Sequence, residues 1–525
     1  MTKHRAIYCL LPAIFTIALR LAFLPYLPIP EPKIHDEFSY LLGADTFASG
    51  RLSNPVHPMW VHFETFHVNQ QPTYGSKYQP AQSLFLALGQ KVFGHPWYGV
   101  LLSVSLMCAC ICWMLQGWLP LRYALLGSFL GVFQIGVFGY WINSYWGGAL
   151  PAAGGALVLG AVPRLMRKPV MSAALLGSLG IALLANSRPY EGFIVTFASA
   201  VALLWGRKKN LRPLRDLLRP RVTVPTALVL CAAAIWMGYY NYRVTGKPWV
   251  MPYLVNDTTY AAAPHFWLSP SASRPIYRHE VLRKFWTEWD WNHYVQARAN
   301  PFRIVANFVY VLFTFYTFPL LLAAMISVLL APTRKVRFAL SIASALALAL
   351  FLETGLAAHY YAPVAGLILY LACVGIRSVL HRVPKRTPER RLTAIAIAGA
   401  FLFAFTIQTI NSIRSDPEPP GNPSHRRLTI DTLMRKGSRH LVIVRYSPEH
   451  DPHQEWVYNS ADIDGSSIVW ARDMGEAANA DLIHYYRDRK IWLLEPDMVP
   501  VRLSPYEFIP IESSSNNRDI WKREN

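Results

Sequence analysis

The sequence HDEFSYLLGADTFASGR occupies residues 35–51, directly after an apolar stretch at about 6–28. Its first three residues, His35, Asp36 and Glu37, are adjacent titratable groups, and the apolar side chains that follow favour one face of a helix. An apolar stretch of about 20 residues is long enough to cross a bilayer. The order of the two segments therefore predicts a spanning helix with an acid pair at its outer end, followed by a helix lying along the interface.

The composition extends this prediction to the whole chain. Of 525 residues, 53% are hydrophobic and only 16% are charged, whereas soluble domains are typically about a quarter charged. These figures exclude a disordered chain and a disulfide scaffold, and they speak against an ordinary soluble enzyme. We predict an α-helical polytopic membrane protein with about eleven transmembrane helices, at about 6–28, 97–118, 120–140, 145–163, 170–186, 190–206, 224–243, 303–330, 336–353, 358–380 and 392–410.

The formal charge of +20 follows the loops of this topology. With the N-terminus in the cytoplasm, the cytoplasmic segments hold 22 Lys and Arg residues against Asp216 and Glu389, and the remaining chain is neutral. A nucleic-acid partner is therefore not needed to explain the charge. We expect a multi-pass protein of the inner (plasma) membrane that retains its first apolar stretch as an anchor.

Two domains are predicted. Residues 1–410 form the membrane domain, with outer loops at 29–96 and 244–302, and residues 411–525 form a small extracytoplasmic α/β domain. After a turn-rich linker, alternating helices and strands suggest partly parallel pairing; they are expected at about 426–436 (helix), 440–446 (strand), 467–471 (strand), 476–488 (helix) and 490–494 (strand). An accessory or acceptor-docking role is the simplest interpretation of the second domain.

The outer loop at 244–302 contains twelve aromatic residues. Tryptophan and tyrosine are typical of the membrane interface, where one edge of the ring meets water and the other meets lipid. The alternative is a stacking platform for sugar rings or lipid head groups. The sequence leaves both interpretations open.

Two positions in the first outer loop are candidates for chemistry. Asp36 is either the N-cap of the helix that it opens or a catalytic carboxylate, and its place at the mouth of a polytopic membrane protein favours the second interpretation. Lys77 precedes an apolar helix with Pro80 in its first turn. Its ammonium group is suited either to binding a phosphate or to snorkelling towards the interface.

Metal binding is left open by the sequence. His57, His62 and His67 recur every five residues, which spreads them around a helix and speaks against a metal triad. A single ligand among His35, Asp36, Glu37 and these histidines is compatible with several divalent ions.

The order of these motifs resembles the polytopic glycosyltransferases of the GT-C superfold, especially the protein O-mannosyltransferases and the bacterial lipid A aminoarabinose transferases. The resemblance covers about the first 410 residues and rests on four motifs: Asp36-Glu37 after the first span, Lys77–Pro80 at the next helix, Arg188-Pro189 between two mid-chain spans, and His359–Pro363 at a late span. This chain departs from the family at His359, where arginine is common, and at KYQP, where two prolines are frequent.

The resemblance implies an integral-membrane glycosyltransferase that moves a hexose or pentose from a polyprenyl-phosphate donor to an extracytoplasmic glycolipid, glycan or protein. Asp36 would act as general base, with Glu37 as its support or as a metal ligand. Lys77, Arg188, His359 and Tyr360 would bind the donor phosphate. The implied partners are the lipid donor, membrane lipids and the acceptor, and no nucleotide cofactor is expected.

A polytopic transporter or lipid flippase of the cell envelope is the alternative. It predicts charges deep in several spans and repeat symmetry, but only Arg20 lies deep in a predicted span and no repeat is visible. Glu191 and Glu353 lie near outer span ends, where they could pair with the cations; for Glu353 an interfacial charge is the simpler expectation. A scaffold for envelope assembly, with the tail as its working part, is a third interpretation.

Overall fold

The computed structural model describes residues 7–209, 213–271, 274–355, 357–414 and 424–507. The chain divides into two compact units. The first comprises Met1–Pro58, Glu64–Pro423 and Asp451–Glu455, and the second comprises Met59–Phe63, Ser424–His450 and Trp456–Asn525.

The first unit is almost entirely helical. Its α-helices are α1 (Leu10–Ala22), α2 (His35–Ala48), α3 (Pro80–Phe93), α4 (Trp97–Trp118), α5 (Leu121–Gly131), α6 (Ala149–Arg167), α7 (Met171–Ala185), α8 (Pro189–Lys209), α9 (Pro220–Thr245), α10 (Pro252–Tyr260), α11 (Glu280–Lys284), α12 (Trp291–Ala299), α13 (Arg303–Phe315), α14 (Phe318–Leu330), α15 (Arg334–Leu350), α16 (Ala365–Arg382) and α17 (Pro388–Arg414). Two short antiparallel strands, β1 (Val68–Asn69) and β2 (Gly75–Ser76), lie between α2 and α3.

Shorter irregular helices complete this unit. A 3₁₀ helix at Ala358–Val364 leads into α16, and π-helical turns occupy Val132–Val137 and Phe285–Asp290. A further 3₁₀ turn at Leu214–Leu218 precedes α9.

The prediction of a polytopic helical membrane protein is confirmed. Each of the eleven apolar stretches contains a helix, and six helices within the described residues are long and apolar enough to cross a membrane, or seven if one bent pair counts as a single span. The apolar windows of α4 and α6 are both 78% buried, whereas those of α9 and α17 are only 6% buried. Helices α4 and α6 therefore form the centre of the bundle, whereas α9 and α17 expose most of their surface.

The stretch at 303–330 is not one continuous helix as predicted. Two helices, Val305–Phe315 and Phe318–Leu330, meet there at an angle of 116°. Pro319 has no N–H group to donate, and its ring would collide with the carbonyl of Phe315 four residues earlier if the helix continued. Gln134 replaces the lost bonds, because its Nε2 donates to the Phe315 carbonyl at 2.9 Å and its Oε1 accepts the Thr317 N–H at 3.1 Å.

The second unit contains the predicted α/β domain. It has a four-stranded sheet in the order β4-β3-β5-β6, formed by β3 (His440–Val444), β4 (Ile468–Arg472), β5 (Lys490–Glu495) and β6 (Arg502–Pro505), with α18 (His425–Arg435) and α19 (Glu476–Tyr485). β3 pairs in parallel with β4 and β5, as predicted. The antiparallel edge strand β6 was not predicted; it is four residues long and ends in a proline, which is tolerated only at such an edge.

Candidate active site

The start of α2 is fixed by Glu37. Its Oε2 accepts the N–H groups of Lys33 at 2.9 Å and Ile34 at 3.1 Å, and its Oε1 accepts the N–H of Tyr145 at 2.8 Å. The side chain is only 3% exposed. Glu37 thus closes the N-terminus of α2 and ties it to the loop before α6, so both of its oxygens are already engaged by backbone donors.

Asp36 is free of this capping task, because the N-cap is Ile34. Its Oδ1 accepts a hydrogen bond from the Tyr78 hydroxyl, and its Oδ2 lies 3.9 Å from Nε2 of His67. Burial, together with the charge of Asp36, raises the pKa of Tyr78 well above its usual value, so the phenol keeps its proton and donates it. The carboxylate is therefore oriented by a tyrosine.

His67 joins α2 to the lysine motif through its backbone. Its φ is +59°, a left-handed conformation uncommon for residues other than glycine. Its carbonyl accepts both the Ser39 hydroxyl at 2.6 Å and the Lys77 N–H at 3.1 Å. Because the ring is buried and lies near the Lys77 cation, the pKa of His67 falls well below its usual value and the ring is neutral. Its Nδ1 is buried without a hydrogen-bond partner among the described residues.

Lys77 projects its ammonium group between aromatic rings. The nitrogen lies 5.4 Å from the centroid of the Tyr78 ring and 5.8 Å from that of Trp286. Among the described residues, no carboxylate lies within ion-pairing distance of it. The nearby Asp290 carboxyl is partly buried, which raises its pKa to about 7, and the Lys77 cation opposes this rise. Lys77 is therefore a cation held by ring faces, and its donors are not used by an acid.

Arg188 ends the turn before α8 and pairs with an acid on that helix. Its Nη1 lies 3.5 Å from Oε1 of Glu191, and the two side chains are 17% and 5% exposed. The guanidinium also lies 4.4 Å from the centroid of the Tyr360 ring. The contact with Tyr360 joins the mid-chain arginine motif to the late tyrosine motif.

His359 lies in the 3₁₀ helix before α16 and is 3% exposed. Its Nδ1 is 3.0 Å from the Tyr140 hydroxyl, and its ring centroid is 5.0 Å from that of Trp146. If Tyr140 donates this hydrogen bond, Nε2 carries the ring proton and is a donor. His359 is thus held by the loop between α5 and α6 rather than by an acid.

Two residues lie near more than one of the motifs of Asp36, Lys77 and Arg188. Burial raises the pKa of Tyr40 to about 12, with Arg188 lowering it and Asp36 raising it. Burial also lowers the pKa of His265, whose neighbours include the cations Lys77 and Arg188. Tyr40 therefore lies in the field of both Asp36 and Arg188, and His265 lies in the field of both cations.

Several residues of this site were not predicted as part of it. Tyr78 directly follows Lys77 and could have been suspected from that position, whereas Asp290 and His265 carry no local signal. The first unit also includes Asp451–Glu455, from which His453 stacks on His35 with ring centroids 5.6 Å apart. A contact between residues so far apart in the chain gives no pattern that one sequence reveals.

The aromatic loop is only partly an interfacial belt. Phe285 and Trp286 are 3% and 5% exposed, and the Phe285 ring lies 4.7 Å from Phe66 and 4.9 Å from Trp289. These aromatic side chains pack against one another and lie beside His35 and His67, the neighbours of Asp36. Glu353, expected as an interfacial charge, is only 2% exposed.

Metal ligands are not clustered in the part of the chain that the structure describes. No group of three or more His, Cys, Asp and Glu side chains there has an arrangement that could hold a metal ion. At the site, Oδ2 of Asp36 and Nε2 of His67 lie 3.9 Å apart.

No family model and no curated protein matches the chain. Solved structures do match. The oligosaccharyltransferase of Archaeoglobus fulgidus in complex with Zn and sulfate is 13% identical, with a TM-score of 0.55, over 93% of this chain and 67% of that one. The same enzyme tethered with an acceptor peptide is 12% identical, with a TM-score of 0.53, over 94% and 69%.

A second kind of protein matches over nearly its full length. ArnT of Cupriavidus metallidurans bound to undecaprenyl phosphate is 12% identical, with a TM-score of 0.50, over 95% of this chain and 96% of that one. At such identities the likeness shows the fold. The chain has the GT-C fold that the order of its motifs predicted.

Proposed function

We propose that this protein is an integral-membrane glycosyltransferase that moves a sugar from a polyprenyl-phosphate donor to an extracytoplasmic acceptor. The observation that carries the proposal is the meeting of a carboxylate, Asp36, with two cations, Lys77 and Arg188, around Tyr40 and Tyr78. The shared fold supports it, since the matched structures include an oligosaccharyltransferase and a protein bound to undecaprenyl phosphate.

Asp36 would act as the general base. The acceptor hydroxyl gives its proton to the carboxylate while its oxygen attacks the anomeric carbon of the donor, and the bond from that carbon to the phosphate oxygen breaks. Free polyprenyl phosphate leaves with the electron pair of the broken bond. The Tyr78 hydrogen bond orients the carboxylate, and Glu37 supports it by fixing the start of α2.

The cations would stabilise the leaving phosphate. Negative charge grows on the phosphate oxygens as the sugar departs, and fixed cations in a site with little water stabilise that charge strongly. Lys77 and Arg188 are held over the rings of Tyr78 and Tyr360. His359 would add a neutral donor through Nε2 when Tyr140 occupies its Nδ1.

The transporter alternative has less support. Arg20, the one cation noted deep in a predicted span, is fully buried and donates to the carbonyls of Leu27 at 2.7 Å and Pro28 at 3.1 Å. These hydrogen bonds hold the segment after α1 in place, so Arg20 has a structural role. A pathway for a charged substrate would need such a group to face a cavity.

The test uses the full-length protein in lipid nanodiscs. It is supplied with hexosyl and pentosyl polyprenyl phosphates and a membrane lipid extract, and release of free polyprenyl phosphate is followed. Wild type is expected to release it, and Asp36→Asn is expected to lose about 10²–10⁴-fold in rate while still binding donor. Asp45→Asn, which changes a second carboxylate on the same helix, is the matched control.

Three results would contradict the proposal in different ways. Full activity of Asp36→Asn would overturn the assignment of the base. An equal loss in Asp45→Asn would indicate damage to α2 rather than lost chemistry. Movement of the intact donor across sealed vesicles without release of polyprenyl phosphate would favour a transporter.

A further inference from the structure

A cavity of about 600 Å³ lies at the end of α16 remote from the candidate active site. Its lining comes from the end of α4, the junction of α14 with α15, and the last turns of α16. His359 and Tyr360 precede the N-terminus of α16, whereas Arg377 and Arg382 lie at its C-terminal end. An α-helix of this length rises about 27 Å, so the cavity and the active site are at opposite membrane faces.

The lining of this cavity is strongly basic. It includes three arginines, Arg334, Arg377 and Arg382, and one lysine, Lys335, as well as His381. None of its lining residues is an aspartate or a glutamate. Within the described ranges, no carboxylate lies within ion-pairing distance of any of the four cations. The cavity thus concentrates positive charge that the protein does not neutralise.

Basic residues of another loop behave differently. Arg207 and Arg219 both contact the carboxylate of Asp216, at 3.4 Å and 2.7 Å. Among the described residues, some basic side chains at this end of the spans are therefore paired with an acid, whereas those at the cavity are not. The positive-inside rule places Lys and Arg in the cytoplasmic loops, but it does not require these residues to line a cavity. The rule alone therefore does not explain why the unpaired cations gather at this one.

The arginines at the cavity are partly fixed by neutral groups. Arg382 donates to the Leu330 carbonyl at 3.2 Å and to the Ser378 carbonyl at 3.4 Å. Arg377 lies 6.0 Å from the centroid of the Tyr123 ring. A guanidinium group has five N–H donors, so each arginine keeps donors for an anion while its position is restrained.

Apart from the hydroxyl side chains of Thr333 and Ser378, the rest of the lining is apolar or aromatic. Trp118 and Tyr370 are 8% and 2% exposed, with ring centroids 5.8 Å apart. Leu119, Ala331 and Val374 add aliphatic surface. Unpaired cations beside apolar surface at the end of spanning helices suit a molecule with a phosphate group and acyl chains.

We propose that this cavity binds the phosphate head group of an anionic phospholipid from the leaflet opposite the candidate active site. The cations would contact the phosphate, and the apolar lining would contact the glycerol and the first acyl methylenes. A soluble phosphate ester could make the contact with the cations, but it has no acyl chains to contact the apolar lining.

The test measures lipid binding by delipidated full-length protein with native mass spectrometry. Phosphatidylglycerol, phosphatidylcholine and glycerol phosphate are titrated separately. The double variant Arg377→Gln/Arg382→Gln is expected to bind phosphatidylglycerol roughly thirtyfold more weakly than wild type, since a cation near a membrane surface contributes about a factor of five. Arg377→Lys/Arg382→Lys keeps the charge and is expected to retain most of the affinity.

The matched control is Arg215→Gln/Arg221→Gln, which removes the same charge from exposed positions outside the cavity. It is expected to bind phosphatidylglycerol as wild type does. If the cavity variant does not fold, Lys335→Gln replaces it, with roughly a fivefold loss expected. Equal losses in the control, equal binding of phosphatidylcholine, or glycerol phosphate binding as tight as that of phosphatidylglycerol would each overturn the proposal.

Discussion

The carboxylate of Asp36 accepts a hydrogen bond from the hydroxyl of Tyr78, the residue that directly follows Lys77. This bond joins two residues 42 positions apart in the chain and places the acid beside the lysine motif. The phenol is buried and keeps its proton, so it acts as a fixed donor. The pair therefore keeps the acid in one orientation beside the lysine motif.

We expect Glu37→Gln to lower stability more than it affects chemistry. Both carboxylate oxygens of Glu37 accept backbone N–H groups, and an amide would turn its own N–H donors towards one of them. An unsatisfied buried group costs about 1–3 kcal/mol. The check is the free energy of unfolding in detergent, compared with Asp36→Asn, which leaves these bonds intact. A variant of normal stability that loses transfer as fully as Asp36→Asn would instead give Glu37 a chemical role.

Lys77→Ala is expected to weaken donor binding by roughly 10–100-fold, because a hydrogen bond to a charged group contributes about 1.5–3 kcal/mol. The donor KM measures this, and Lys77→Arg should recover part of the loss. Lys91→Ala is the matched control, since Lys91 lies exposed in the last turn of α3. An unchanged donor KM in Lys77→Ala would remove Lys77 from the phosphate site.

Most of the architecture followed from the sequence because its causes are local. Apolar length sets the helices, and alternating helices and strands gave the partly parallel sheet of the second unit. The corner at Phe315 and Thr317 did not follow so directly. Pro319 could have signalled it, but the bonds that stabilise the corner come from Gln134, far earlier in the chain. A single sequence does not reveal such a partner.

The candidate site was predictable only where its residues form motifs. Asp36, Lys77, Arg188 and Tyr360 lie in short recognisable stretches, and the structure brings them together. The division of tasks between Asp36 and Glu37 depends on which backbone N–H groups meet each carboxylate. That geometry includes Tyr145 from a distant loop, so it could not be read from the Asp-Glu pair itself.

Breaking the Arg188–Glu191 pair is expected to destabilise the protein. Arg188→Gln leaves Glu191, whose side chain is 5% exposed, without its cation, and removing one partner of a buried pair costs about 3–5 kcal/mol. The double variant Arg188→Gln/Glu191→Gln should recover most of that stability but not donor transfer. Unfolding and transfer measured for all four proteins of the cycle test this. If the double variant recovered both stability and transfer, the role of Arg188 would be only to neutralise the charge of Glu191.

Gly155→Ala is expected to disturb the site through packing alone. A Cβ atom at Gly155 would lie 1.9 Å from the carbonyl oxygen of Pro363, so the 3₁₀ helix that carries His359 and Tyr360 would have to move. Overpacking typically costs about 1–3 kcal/mol, and we expect a lower unfolding temperature with slower transfer. Gly399→Ala, whose Cβ would meet nothing within 4 Å, is the control. Equal transfer rates in the two variants would contradict this coupling.

Donor binding is expected to weaken as pH rises through about 7, because Asp290 ionises there. Below that pH its carboxyl is neutral, and the Lys77 cation is available to a phosphate; above it, the carboxylate competes for Lys77.

The raised pKa of Asp290 also means that the folded chain holds a proton which the unfolded chain releases near pH 4, so this residue's contribution to stability falls as pH rises from about 4 to about 7. In Asp290→Asn, donor binding and stability should both depend less on pH over this range. Donor KM and unfolding measured across this range test the assignment, with Glu288→Gln, an exposed acid of the same segment, as the control. A pH dependence of donor KM that persists in Asp290→Asn would assign the titration to another group.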